Sequence, residues 1–122
     1  RTIRRTIRLA AGLLYPARMA SEMSPTAFES LAEAALARVF DAVEAAERDD
    51  TEFDLEGGIL TIEIDGVGTY VLNKHAPMRQ LWLSSPRSGA HHFAWDGARW
   101  VSTRGGGDLM KLLASELSVA LG

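Results

Sequence analysis

Between Gly58 and Ser102 the chain offers five short strand candidates in succession, each closed by turn residues, with no helix-length pattern among them. The run G-I-L-T-I-E-I-D sets Leu60, Ile62 and Ile64 on one face against Ile59, Thr61, Glu63 and Asp65 on the other, the period of a strand buried on one side. Thr69 to Asn73, Gln80 to Ser84, His92 to Trp95 and Arg99 to Ser102 follow. Gly66, Gly68, Pro77, Pro86, Gly89 and the Asp96-Gly97 pair separate them. Parallel neighbours need a crossover of a dozen or more residues, for which these connections leave no room. The strands are therefore expected to form an antiparallel sheet.

Helical patterns bracket this region. Ser24 followed by Pro25 is a helix start, a hydroxyl to cap open amides and a proline where its missing donor does no harm. The pattern predicts a helix to about Arg48, with Phe28, Leu31, Ala35, Val39 and Val43 on one stripe and Glu29, Glu33, Glu44 and Glu47 on another face. Phe40 falls close to the acidic side of the ideal wheel. Asp49, Asp50 and Thr51 read as a turn. After the glycines at 105 to 107, Asp108 caps a second helix whose apolar stripe is Leu109, Leu112, Leu113, Leu117, Ala120 and Leu121. Two terminal amphipathic helices on one face of an antiparallel sheet give an α+β, two-layer sandwich, with the other sheet face left to solvent.

At 122 residues, 47% of them hydrophobic, the chain suits one compact domain. It has no cysteine, which excludes disulfides, thiolate metal sites and cysteine nucleophiles, so a metal would have to sit on oxygen or imidazole. Its net charge of -3 divides unevenly. Residues 1–23 hold five arginines against Glu22, a net of +4; residues 24–65 hold twelve acids against Arg38 and Arg48, a net of -10; the remainder holds six cations against three acids, a net of +3. The segment 1–23 has the composition of an organelle-targeting leader, with a basic tail as the alternative, and 24–122 is expected to be the folded domain. No apolar run is long enough to span a bilayer.

The segment N-K-H-A-P-M-R-Q-L-W-L-S-S-P-R-S-G, from Asn73 to Gly89, resembles the sheet signature of the frataxin family. G-G-I-L-T-I, G-T-Y-V-L-N-K, F-A-W-D-G-A-R-W-V and L-L-A-S-E-L are similar to its other segments in the same order, so the likeness runs from about Phe28 to Leu121. The resemblance implies an acidic ridge on the first helix and first strand that binds ferrous or ferric iron weakly and exchangeably. It also implies docking on a cysteine desulfurase and its iron-sulfur scaffold protein to modulate sulfur transfer, with neither nucleic acid nor membrane as partner. A monomer is expected, with iron-dependent oligomers as the alternative. The leader and the S-S-P-x-S-G run imply the mitochondrial matrix, with a bacterial cytoplasm as the alternative. His75 stands where the family usually has glutamine, and His92 where animal relatives carry arginine. The chain stops at Gly122, where several relatives have a tail packed between the helices, so stability is expected to be low.

On these grounds the candidate metal ligands are Glu29, Glu33, Asp41, Glu44, Asp54 and Glu56, against the alternative of a solvated helix face. Like charges one turn apart repel, so neutralising Glu29, Glu33 and Asp41 is expected to weaken iron binding and raise stability. Open oxygen sites of this kind bind with modest affinity and selectivity. No Glu-x-x-His pairs on facing helices suggest a closed di-iron centre, so ferroxidase activity with iron storage is the weaker reading, beside that of a metal-independent acidic adaptor. Trp82, between Leu81 and Leu83, faces the open side if those leucines are core, as the resemblance implies. The candidate partner surface is Asn73, Lys74, His75, Gln80, Trp82, Ser84 and His92. His91 and His92 fall on opposite strand faces, and Trp95 and Trp100 are expected to pack about the Asp96-Gly97 turn.

Overall fold

The computed structural model describes residues 23–105 and 107–121; apart from Met23, the basic leader lies outside the described residues. Helix α1 spans Pro25–Ala46, with the Ser24 hydroxyl accepting from the Ala27 amide at 3.0 Å and proline in the first turn. It stops short of the expected Arg48. Glu47 takes a left-handed conformation as the cap, and Arg48 donates instead to the carbonyls of Leu117 and Ser118 at the end of the second helix. A guanidinium there satisfies carbonyls that the helix leaves open and opposes its negative end.

Six strands follow: β1 (Thr51–Glu56), β2 (Ile59–Ile64), β3 (Gly68–His75), β4 (Gln80–Ser85), β5 (Gly89–Trp95) and β6 (Trp100–Ser102), with a short 3₁₀ turn, Ala76–Met78, before β4. Each pairs antiparallel with the next, so spatial order equals chain order. The expected two-layer α+β architecture is what the chain adopts. Strand β1 was not expected. T-E-F-D-L-E has only two inward apolar residues, and Thr51, read as a turn residue, begins it. The strand is held by a two-residue turn in which Gly57 and Gly58 have φ of 61° and 79°. A Cβ on Gly58 would meet only the far end of the flexible Lys74 side chain, so it is the positive φ and not space that calls for glycine there.

The core lies between one sheet face and the helices. Leu60, Ile62, Ile64, Tyr70, Leu72, Leu81, Leu83 and Phe93 supply the sheet side, and Phe28, Ala32, Ala35, Leu36, Val39 and Val43 the α1 side. The stripe on α1 is thus centred further towards Ala32 and Leu36 than expected, with Leu31 at its margin. Phe40 is covered by Phe53 of β1, ring centroids 5.1 Å apart and nearly perpendicular. Trp100 is buried, with its ring edge-on to Phe28 at 6.1 Å and to Trp95 at 5.5 Å, as the structural reading of both indoles required.

Helix α2 spans Leu109–Leu117, capped by Asp108, whose carboxylate accepts from the Met110 amide at 2.9 Å. It ends earlier than the apolar stripe suggested. Ser118 turns left-handed, so Ala120 and Leu121 lie beyond the helix, while Val119 and Leu121 pack on the core as extended chain. Glu116 ties α2 to the β4–β5 turn, accepting from the hydroxyls of Ser85 at 2.6 Å, Ser88 at 2.5 Å and Tyr70 at 3.1 Å. Ser85 accepts in turn from the amides of Arg87 and Ser88. Burial alone would raise the Glu116 carboxyl; the bonds from Ser85, Ser88 and Tyr70 outweigh it and hold the group below the ordinary carboxylate value. Among the described residues no helix is long and apolar enough to cross a membrane.

Candidate functional site

Pairing register decides which side chains share the uncovered sheet face. Leu81 and Leu83 are buried, which turns Gln80, Trp82 and Ser84 outward. Trp82 lies directly between Asn73 of β3 and His92 of β5, and Gln80 lies opposite His75. Three rings stack across three strands. His75 and Trp82 have centroids 3.7 Å apart, Trp82 and His92 4.2 Å apart, and each pair is within 8° of parallel. Both π-faces of the indole are therefore covered, and its edge is what remains for a partner. The indole N–H donates to the Gln80 side-chain oxygen at 2.7 Å, which fixes its rotation. The Nδ1 of His75 is buried and has no hydrogen-bond partner among the described residues. Asn73 turns its amide to the Lys74 carbonyl at 3.1 Å, and Ser84 is exposed.

Lys74, expected on the same surface, projects to the helix side. Its ammonium bonds Glu29 and lies 3.3 Å from Glu33, with 18% of its side chain exposed. The Glu29 bond raises its pKa above the ordinary lysine value; burial works the other way, and Glu33 adds to the rise. Two of the six candidate metal ligands thus already share an internal cation. The sequence of α1 alone could not reveal this counter-charge, and it removes the ground for expecting a gain in stability from neutralising Glu29 and Glu33.

The other candidates divide by element. Asp41 and Glu44 project from α1 into solvent, whereas Asp54 and Glu56 alternate outward from β1, on the sheet face that carries Trp82 but at its far edge. Two further acids belong with them. Glu52 and Glu63 are direct cross-strand partners on that face, a like-charge pair visible only once β1 is known to pair with β2. Among the described residues no three carboxylates or imidazoles converge on a point that a metal ion could fill. A cation on this surface would hold one or two carboxylates and keep the rest of its shell as water. His75 and His92 are separated by the indole, and His91 faces the helix side, its Nε2 2.8 Å from the Ser88 hydroxyl.

An open groove of about 470 Å³ runs between α1 and the β1–β2 hairpin, with Leu36 and Leu55 along it and Glu33 and Glu56 among its lining. Acid on apolar ground is a surface for cations or for a basic partner segment.

Comparison with known proteins agrees with this geometry. Residues 21–122 match the frataxin-like domain. The iron-sulfur cluster assembly protein CyaY of Dechloromonas aromatica is 39% identical over 101 residues, covering 82% of this chain and 94% of that protein. Trimeric frataxin from the yeast Saccharomyces cerevisiae, complexed with ferrous iron, superposes with a TM-score of 0.66 at 36% identity, over 71% of this chain and 81% of that one. Frataxin from Psychromonas ingrahamii shares the fold, with a TM-score of 0.70 at 23% identity over 78% of this chain and 89% of that one. A six-strand antiparallel meander under two helices is the fold of these structures, and the chain belongs to the frataxin-like family.

Proposed function

We propose that this protein serves iron-sulfur cluster assembly as an iron-binding accessory factor, docking on a cysteine desulfurase and scaffold complex rather than carrying out a reaction itself. The observation that carries this reading is the His75–Trp82–His92 column. A large aromatic fixed on an uncovered sheet face, with little left to order on binding, is the kind of anchor from which docking hot spots are made. The cluster-assembly role of the Dechloromonas relative and the ferrous iron in the yeast structure support the two halves of the proposal. Iron is cargo here. Glu29, Glu33, Asp41, Glu44, Asp54 and Glu56 would hold it weakly and exchangeably, because they are spread along a ridge and not gathered into a cage. The partner surface comprises Asn73, His75, Gln80, Trp82, Ser84 and His92, with Lys74 contributing from the ridge side.

A mitochondrial matrix setting rests on the basic leader, which lies outside the described residues; the bacterial origin of the Dechloromonas relative favours a bacterial cytoplasm instead. Ferroxidase chemistry rests on family likeness alone, since no three carboxylates or imidazoles gather around a common point among the described residues.

Two measurements test the proposal. In an anaerobic ferrous titration followed by amide NMR, broadening should be confined to residues 29–56; none at millimolar iron would remove iron from the function. Trp82→Ala should weaken binding to the desulfurase-scaffold complex by about thirtyfold, equivalent to about 2 kcal/mol, with iron affinity unchanged. Equal binding by wild type and variant would reject the column as the anchor.

A further inference from the structure

On the uncovered sheet face one large aliphatic side chain stands in the open. Ile59, the first residue of β2, is 46% exposed, whereas Ile62 and Ile64 of the same strand are buried. A β-branched residue suits a strand, but threonine meets that preference and keeps a hydroxyl in water. The strand's own formation therefore does not call for isoleucine at this position.

Register gives Ile59 its neighbours. Glu56, Ile59, Asn73, Trp82 and His92 are successive direct partners from β1 to β5, so they form one row across the open face. Adjacent strands lie about 4.8 Å apart, which puts the strands carrying Ile59 and Trp82 about 10 Å from each other, with Asn73 between. Asn73 is drawn down, its amide donating to the Lys74 carbonyl at 3.1 Å. The next outward side chain along β3 is Val71, half-buried, with Thr61 and Ser84 as its partners on either side. Ile59 and the aromatic column thus rise on the two sides of a low floor of amide, valine and hydroxyls. Beyond Ile59 the face turns acidic. Glu56 and Asp54 point outward from β1, both exposed, and no lysine or arginine among the described residues occupies an outward position of β1, β2 or β3.

We infer that Ile59 is a second anchor of the docking face, paired with Trp82 across Asn73, and that the protein segment it receives carries an apolar side chain beside a lysine or arginine. The apolar side chain lies over Asn73, between Ile59 and the column, and the cation meets Asp54 and Glu56. A nucleic acid is repelled by those carboxylates, and a metal ion gains nothing from the isoleucine. The inference rests on the docking reading above and adds what that reading lacks, a residue that sets register. One indole edge accepts many apolar groups; two apolar points at a fixed spacing, with charge at one end, select both the spacing and the direction of what docks.

The test measures binding of the full chain to the desulfurase-scaffold complex for Ile59→Thr, Trp82→Ala and the double variant, with chemical denaturation of each as the check on folding. Ile59→Thr keeps the β-branch and the charge, so ferrous affinity should stay as in the wild type while docking weakens about fivefold. The double variant should lose less than the product of the two single losses, because both side chains hold the same partner residue. Glu56→Gln should weaken docking about twofold and lessen its dependence on salt. If Ile59→Thr loses stability, Ile59→Val, one methylene smaller, carries the same test with an expected loss of about twofold. Docking of the Ile59 variants equal to wild type, with Trp82→Ala impaired, overturns the inference and leaves the docking reading standing. Single losses that simply multiply in the double variant overturn it too, since Ile59 then acts apart from the column. No loss from Trp82→Ala would remove the docking reading, and this inference with it.

Discussion

Trp82 is held on both ring faces and at its indole nitrogen, whereas Asp41, Glu44, Asp54 and Glu56 extend into solvent with no ion pair among the described residues. One surface is assembled before any partner arrives; the other is a field of charge without a fixed geometry. The difference follows from where each sits. The column spans β3, β4 and β5, in the middle of the sheet, where cross-strand neighbours lie on both sides. The ridge follows a helix face and an edge strand, where half the neighbours are water. A surface of the first kind can select a partner by shape, because little entropy remains to be lost; one of the second kind attracts cations at long range and releases them readily.

Preassembly of the column depends on the turn that joins its strands, and Glu116 anchors that turn from below. Glu116→Ala should therefore have the largest effect on stability, about 3 kcal/mol, since it strands the buried Ser85 hydroxyl and frees Tyr70 and Ser88 together. Chemical denaturation measures this, and a loss under about 1 kcal/mol would mean the turn holds itself. The pH dependence has a definite sign. A carboxylate held below its ordinary pKa by native hydrogen bonds stabilises the fold fully above the unfolded value, and that contribution disappears as pH falls through the depressed folded value. Glu116→Gln should accordingly flatten the acid limb of the stability profile while leaving the ridge's attraction for cations intact.

Lys74 is where the two surfaces meet, its neighbours Asn73 and His75 on the Trp82 side and its ammonium among the ridge acids. A metal ion that uses Glu29 or Glu33 must displace it. Lys74→Met should raise the affinity of that end of the ridge for ferrous or manganous ion several-fold, and cost no more than about 0.5 kcal/mol of stability, because the lysine is covered but the Glu29 side chain it pairs with is 44% exposed to solvent. The native stabilisation carries the lysine sign, present below the unfolded pKa and lost as pH rises through the raised folded value. Unchanged metal affinity in the variant would show that cations use only the Asp41, Glu44, Asp54 and Glu56 end.

Period-two alternation about Leu81 and Leu83 leaves two choices for Trp82, the family resemblance favours the outward one, and the burial of both leucines in the structure agrees with it. The order and pairing of the middle strands were likewise written in their turns. What the sequence hid were contacts set by register across distant segments. Lys74 and Glu29 are 45 positions apart, and nothing local marks them as partners. His75 and His92 belong to the same candidate surface as Trp82, but that both stack on the one indole emerges only when β3, β4 and β5 are aligned. Strand β1 was missed for another reason. An edge strand needs apolar residues on one face only, and Phe53 and Leu55 make too short an alternation to outweigh the acids between them.

That missed strand also supplies the smallest test of the contrast. Glu52 and Glu63 stand directly opposite each other on the outer face, a pairing that repels and that no described cation relieves. Glu63→Thr replaces one member with a β-branched residue suited to a pleated surface and should stabilise the fold by a few tenths of a kcal/mol. If the ridge attracts cations as a diffuse field, the same substitution should lower ferrous affinity slightly, in proportion to the single charge removed, and added salt should erase the difference. A large, salt-independent loss of iron binding would instead mean that Glu52 and Glu63 form a local chelate, and the ridge would then be as preassembled as the column.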